Sequence, residues 1–259
     1  MFTQNLSHIV TTENLQIGFE EISKNSSGLD EISYKEFKKE LNTNIKDLQE
    51  AIIKASYTPE PLKKIEIEKP DSDEKRPIAL SSIKDKIVQR TLYNALNPYF
   101  DEQFSNKSYA YRKEKSTINA INRVSQFIIE ENHHILKTDI DNFFETINHD
   151  KLLLILSKQI SDTSIIRLIS LFLQTGAFAS FDYNDHIDGV HQGDILSPLL
   201  SNIYLDCMDR FLDKYEVPFV RYSDDFVILA PKKEQIVTIK EKLEKFLFTL
   251  DLKLGIEDT

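Results

Sequence analysis

The stretch FVRYSDDFVILA, Phe219 to Ala230, sets two adjacent aspartates inside an otherwise apolar run. Phe219–Tyr222 and Phe226–Ala230 read as short strands joined by a tight turn at Ser223-Asp224-Asp225. Aspartate suits a turn, but the flanking Phe, Val, Ile and Leu belong in a core. The hairpin therefore carries two carboxylates to the rim of its own apolar interior. A second stretch, HHILKTDIDNFF (residues 133–144), has the same character: a short strand that runs into Asp139 and then into aromatics. If Asp139 and the turn lie on neighbouring strands, three carboxylates meet. Two like charges ~4 Å apart cost about 4 kcal/mol at an effective dielectric of 20. Such a cluster must take up protons or bind cations. Its donors are all oxygen, with no His or Cys, which suits Mg²⁺. Two ions about 3.5–4 Å apart could activate a hydroxyl and stabilise a leaving pyrophosphate. An acidic hairpin turn beside a helix-capping Asp139 explains the same residues, and at this point both readings stand.

Outward from these strands the pattern mixes helix and strand. Leu15, Phe19 and Ile22 share a helical face, and NSSG ends that segment with Gly28 as the C-cap. Tyr34, Phe37, Leu41, Ile45, Leu48 and Ile52 step by three or four, predicting one long amphipathic helix that stops before YTPEP. LKKIEIEKP alternates as a strand, PDSDEKRP is a turn, and PIAL resumes the extended chain. A helix follows over residues 82–99, and Ser116 caps another that carries Ile118, Ile121 and Ile128. NHDKLLLILSKQ and SIIRLISLFLQ read as helices, and AFASFDYNDHIDGVHQGD as a hairpin and loop. LSPLLSNIYLDCMDRFLDKY reads as a helix with Pro198 in its first turn, and a last helix covers about residues 232–250. The expected class is α+β, with helices against one face of a small antiparallel sheet.

Composition narrows the function. The chain has 259 residues, 41% hydrophobic and 29% charged, enough for a sizeable core in a globular protein. A net charge of −10 argues against binding nucleic acid by bulk attraction and leaves the matter to local patches. One such patch lies between Lys107 and Arg123, where five basic residues face one acid, interleaved with Tyr109 and Tyr111. A single cysteine excludes a disulfide framework. With no apolar stretch near ~20 residues and no basic, cleavable start, the expected location is cytoplasmic, without a membrane anchor.

Taken together the motifs resemble the reverse transcriptases. YSDD at Tyr222–Asp225 is similar to their Tyr-x-Asp-Asp motif, and KTDIDNFFETINHDKL to their first catalytic-aspartate motif. HQGDILSPLLSNIYL resembles the Gln-Gly-x-x-x-Ser-Pro motif that lies between. The stretch from YTPEP through KSTINAI looks like the fingers of bacterial enzymes of the group II intron or retron-like type. The resemblance implies a right-hand polymerase: a helical N-terminal segment over 1–60, fingers over 61–132 and a palm over 133–259. It implies RNA-directed DNA polymerase activity with two Mg²⁺ ions, Mn²⁺ being a substitute. Asp139, Asp224 and Asp225 match the catalytic carboxylates, and Ile140 would lend a carbonyl to a metal. Phe144 matches the gate against a ribose 2′-hydroxyl, and Gln192 and Gly193 the nucleotide pocket. Lys69 and Arg76 fall where the fingers grip the triphosphate. Arg112, Lys113 and Tyr222 fall where template or primer is held. The implied partners are an RNA template, a DNA or RNA primer and dNTPs.

Two departures qualify this. Asp258 stands where the family has Lys, and the sequence stops at LDLKLGIEDT with no thumb, so a second chain or domain is expected to supply one. Two further functions stay open: a template-independent or protein-primed nucleotidyltransferase of antiphage defence, and a non-catalytic module that binds nucleic acid. The acidic cluster speaks against the last, because a purely binding module gains nothing from unpaired carboxylates.

Overall fold

The computed structural model describes residues 1–25, 27–68, 75–179, 182–184 and 189–255; of residues 75–77, 177–179 and 182–184 it describes the backbone alone. In chain order the elements are α1 (Leu6–Ile9), α2 (Thr12–Glu21), α3 (Tyr34–Lys39), α4 (Leu41–Ile53), β1 (Leu62–Glu68), β2 (Lys75–Leu80) and α5 (Ile83–Asp101). They continue with α6 (Thr117–Ile129), β3 (His134–Thr138), α7 (Phe143–Thr146), α8 (His149–Ser157), α9 (Thr163–Leu173), β4 (Ala177–Ala179) and β5 (Asp182–Asn184). The last are α10 (Ser197–Lys214), β6 (Phe219–Tyr222), β7 (Asp225–Ala230) and α11 (Lys233–Phe248). Among the described residues no helix is long and apolar enough to cross a membrane.

Two compact units form, each from two stretches of chain. The first holds Met1–Tyr99 and Leu153–Pro198. Its sheet runs β2-β1-β4-β5. β1 and β2 make an antiparallel hairpin from Lys63↔Leu80 to Glu68↔Lys75, while β1 and β4 pair in parallel at Leu62↔Ala177. Helical residues build the core, with Leu15, Phe19, Ile45, Leu48, Ile52, Ile87 and Leu92 buried. Phe19 stacks on Tyr34 with ring centroids 4.3 Å apart. Two helix boundaries differ from the periodicity. The helix expected from Tyr34 through Ile52 breaks at Glu40 (φ −121°, ψ 37°). The apolar stripe runs straight through that break, so spacing hides it; the Asn44 amide donates to the Phe37 carbonyl at 2.9 Å, satisfying the last turn of α3. Nor is Gly28 a C-cap: α2 already ends at Ile22, whose backbone is extended.

The second unit holds Phe100–Leu152 and Leu199–Thr259. Its antiparallel sheet runs β3-β7-β6, with β7 central. Val220, Val227 and Leu229 pack against Tyr109 and against Ala120, Val124 and Phe127 of α6. Arg221, on the opposite face by strand alternation, reaches Asp209 of α10. Helices thus cover both faces of this sheet, not the single face expected. That double cover is why FVRY and DFVILA read as almost unbroken apolar runs. Ser116 caps α6 as expected, accepting from the Asn119 N–H at 3.2 Å. The helix nevertheless buries Ala120 and Phe127 and leaves Ile118 and Ile121 69% and 59% exposed.

Candidate active site

The aspartate hairpin lies in the second unit. β6 and β7 pair from Phe219↔Ile228 to Tyr222↔Asp225, leaving Ser223 and Asp224 as the turn. Ser223 has φ +62°, the left-handed region that such tight hairpin turns require. β7 begins at Asp225, one residue earlier than expected from sequence. β3 pairs with β7 from His134↔Ala230 to Thr138↔Phe226. Asp139 directly follows the last residue of β3. The paired ladder ends at Thr138↔Phe226, so Asp139, Asp225 and the turn residue Asp224 lie at the same end of the sheet. Asp225 is exposed, and Asp139 and Asp224 are half-buried. As the side chains stand, no three His, Cys, Asp or Glu among the described residues form a metal-holding group.

Beneath the turn lies a charged group that sequence reading passed over. Arg221 is fully buried, and its Nε and Nη2 donate to both oxygens of Asp209 at 2.8 and 2.6 Å. Its Nη1 donates to Asn202 Oδ1 and to the Ser223 carbonyl, each at 2.9 Å. Asn202 in turn donates from Nδ2 to the Ala110 carbonyl at 3.0 Å. The turn therefore hangs from a bidentate ion pair whose Nη1 donors go to further polar partners, as burial of a charge demands. The signal was present in outline: a lone Arg in an apolar strand, and Asn202 and Asp209 seven residues apart on one helix. From the side, Ser223 Oγ donates to Tyr111 Oη at 3.3 Å; Tyr111 is 48% exposed and has φ +60°.

Residues 253–255 lie along the end of β3. The Asp141 N–H donates to the Lys253 carbonyl at 3.0 Å and the Gly255 N–H to the Asp139 carbonyl at 2.9 Å, around an Ile140↔Leu254 bridge. Neither bond uses the Ile140 carbonyl. A Cβ at Gly255 would overlap Asp139 Oδ1, so only glycine lets this carboxylate stand where it does. Past Asp139 the chain turns through Asn142 (φ +46°) into α7. Phe143 is buried and meets Phe144 edge-on at 5.5 Å, while Phe144 is half-buried.

The basic stretch is more structural than its composition implied. Arg112 donates from Nε to Asp101 Oδ1 at 2.6 Å, from Nη1 to the carbonyls of Ser105 and Ser108, and from Nη2 to that of Asp101. Its guanidinium thus braces the loop from inside. Lys115 donates to the carbonyls of Asn106 and Ser108 and lies 4.8 Å above the Tyr109 ring. Burial, reinforced by the neighbouring Arg112, lowers its ammonium to about 8. Lys113 and Tyr222 are exposed.

The other residues expected from the resemblance to meet a nucleotide belong to the first unit. The Ala79 N–H donates to the Gln192 carbonyl at 2.9 Å, laying the loop against β2. Gly193 has φ +110°, and a Cβ there would come within 2.6 Å of the Ala79 carbonyl oxygen, so glycine is required twice over. Asp194 accepts from Ser81 Oγ; burial raises its carboxyl, opposed by hydrogen bonds from Ser81 and Gln89. Arg76 pairs with Ile67 in the β1–β2 hairpin, its side chain undescribed, and Lys69 lies outside the described residues.

Comparison with known proteins bears on the whole arrangement. The family model "Reverse transcriptase (RNA-dependent DNA polymerase)" matches residues 67–257. Protein YkfC of Escherichia coli K12 is 25% identical, over 90% of this chain and 71% of its own length. The group II intron-encoded protein LtrA of Lactococcus lactis is 27% identical over 78% of this chain, a match that takes in 34% of LtrA. A chain of the partial Cas6-RT-Cas1–Cas2 complex shares the fold with TM-score 0.58 at 23% identity, covering 94% of this chain and 42% of that one.

Proposed function

Because the chain belongs to the reverse transcriptase (RNA-dependent DNA polymerase) family, we propose that it extends a primer 3′-hydroxyl with dNTPs copied from an RNA template. The observation that supports this reading is the β3–β7 register, which ends at Thr138↔Phe226 and leaves Asp139, Asp224 and Asp225 at one end of the sheet. Their donor set, with the Ile140 carbonyl, is all oxygen and fits a hard divalent cation, Mg²⁺ or Mn²⁺ in its place. Bound there, two such ions would activate the primer hydroxyl and neutralise charge on the leaving pyrophosphate.

The chain's own residues do the rest. Asp139, Asp224 and Asp225 supply the negative charge that recruits the cations, and Arg221 keeps the turn in shape. Phe144 presents an aromatic edge to the sugar and excludes a 2′-hydroxyl by bulk alone. Gln192 and Gly193 line the nucleotide, and Lys69 and Arg76 clamp its triphosphate, Arg76 through bidentate geometry. Tyr222 and Lys113 contact nucleic acid, with Arg112 stiffening the loop that bears Lys113.

The test incubates the protein with a primed RNA template, each dNTP and Mg²⁺, alongside Asp224→Asn, and sequences the product. Template-dependent extension that disappears in the variant is expected. Extension without template would overturn the templated reading in favour of a terminal transferase. Full activity in Asp224→Asn would remove the carboxylate assignment.

A further inference from the structure

Gln89, in α5, is 1% exposed and has no role in the chemistry proposed above. Its side chain nevertheless hydrogen-bonds to residues on both flanks of Asp194, next to the Gln192–Gly193 loop. Oε1 accepts the N–H of Ile195 at 2.8 Å and, more weakly, that of Leu196 at 3.4 Å. Those residues directly precede α10, so the carbonyl of Gln89 ties down the chain as it enters that helix. Nε2 donates to Ser81 Oγ at 3.4 Å, and Ser81 Oγ donates to the Asp194 carboxylate. The same amide also favours the charged form of Asp194 by hydrogen bonding.

We infer that Gln89 is a positioning residue for nucleotide binding: one buried amide holds the loop of Gln192 and Gly193 from its far side, through Asp194 and Ser81 on one hand and the Ile195 N–H on the other. The inference rests on the polymerase reading for its kinetic consequence but on the hydrogen bonds alone for its structural one. An amide is needed because the site demands an acceptor and a donor at once. Leucine offers neither, and glutamate keeps the acceptor while setting a second carboxylate toward Asp194. The near edge of the loop is fixed independently, by the Ala79 N–H on the Gln192 carbonyl and by Gly193 wedged against β2. Removing Gln89 should therefore loosen the loop without unfolding it. A contact that holds the nucleotide equally in ground and transition states moves KM and leaves kcat.

The experiment compares the full chain with Gln89→Leu and with Ser81→Ala, which cuts the Asp194 arm and leaves Gln89 in place. Steady-state primer extension is read as KM and kcat for dNTP, and hydrogen exchange is followed over the loop and the start of α10. Expected are faster exchange at Ile195 and Leu196 in Gln89→Leu, and a dNTP KM raised about tenfold in both variants with kcat within about twofold. Tenfold corresponds to about 1.4 kcal/mol, the scale of one buried hydrogen bond. Faster exchange with an unchanged KM would make Gln89 a helix cap and nothing more. A matching fall in kcat and in melting temperature would make its role purely structural. Unaltered exchange in Gln89→Leu would overturn the inference even if the wild-type chain proved inactive, an outcome that would by itself refute only the polymerase reading.

Discussion

Asp209→Ala strands the Arg221 guanidinium in the interior. Both side chains of this pair are 0% exposed, and two of the guanidinium's nitrogens are given over to the carboxylate. Removing one partner of a buried pair costs about 3–5 kcal/mol, because the remaining charge keeps its desolvation penalty and loses its compensation. Asn202 and the Ser223 carbonyl still accept from Nη1, which holds the figure toward the lower end. At about 2–4 °C per kcal/mol for a chain of this size, the melting temperature should drop by roughly 6–15 °C. The companion variant, Arg221→Met with Asp209→Leu, replaces both charges by apolar groups of similar volume and should recover most of that loss. It should not recover primer extension, because the Ser223 carbonyl has lost its donor and the left-handed turn its tether. Thermal melts and single-turnover extension on the three proteins separate the effects. A drop below about 2 °C in Asp209→Ala would refute the buried-charge argument. Full extension by the double variant would refute the claim that Arg221 holds the aspartate turn.

Gly255→Ala should drive Asp139 from its place and cut single-turnover extension by about a hundredfold, since a misplacement of ~1 Å is worth that much; the melting temperature should barely move, and activity within threefold of wild type would refute the close-approach argument. Phe143→Ala should cost about 3–5 kcal/mol as a core truncation, read by thermal melt. Phe144→Ala should instead improve rNTP relative to dNTP incorporation, and the reverse pattern would exchange the roles of the two rings. Burial raises the Asp85 carboxyl from 3.8 to about 6, against hydrogen bonds from Tyr57, Ser82 and the Glu60 N–H. The folded chain thus holds this proton more tightly than the unfolded one, so the contribution is full below about pH 3.8 and is lost as pH rises through about 6. Asp85→Asn should flatten that part of the stability–pH curve measured between pH 4 and 7, and an unchanged slope would assign the drift elsewhere.

Much of the site was legible from local order. The hairpin at Ser223–Asp224 follows from apolar strands flanking an acidic turn, and Asp139 from the same approach into aromatics. The capped start of α6 at Ser116 was equally plain. Each depends only on residues a few positions apart, whose period and turn chemistry are properties of the chain itself. The break at Glu40 was not legible, because no Pro or Gly marks it and the apolar spacing continues across it. The buried face of α6 was not legible for a related reason. Its isoleucines form the more conspicuous stripe, yet the space beside Val220 and Leu229 takes Ala120 and Phe127.

What the sequence determined by itself was most of the strands and longer helices and the acidic turn, together with the family resemblance their order carries. What tertiary structure alone decided were the pairings: β3 against β7, Arg221 with Asp209, Gln89 under the Gln192 loop, and Leu62 beside Ala177. The physical reason is that a hydrogen bond or ion pair in the interior gains its worth from desolvation. Desolvation depends on which faces cover one another, and no window of neighbouring residues contains that information.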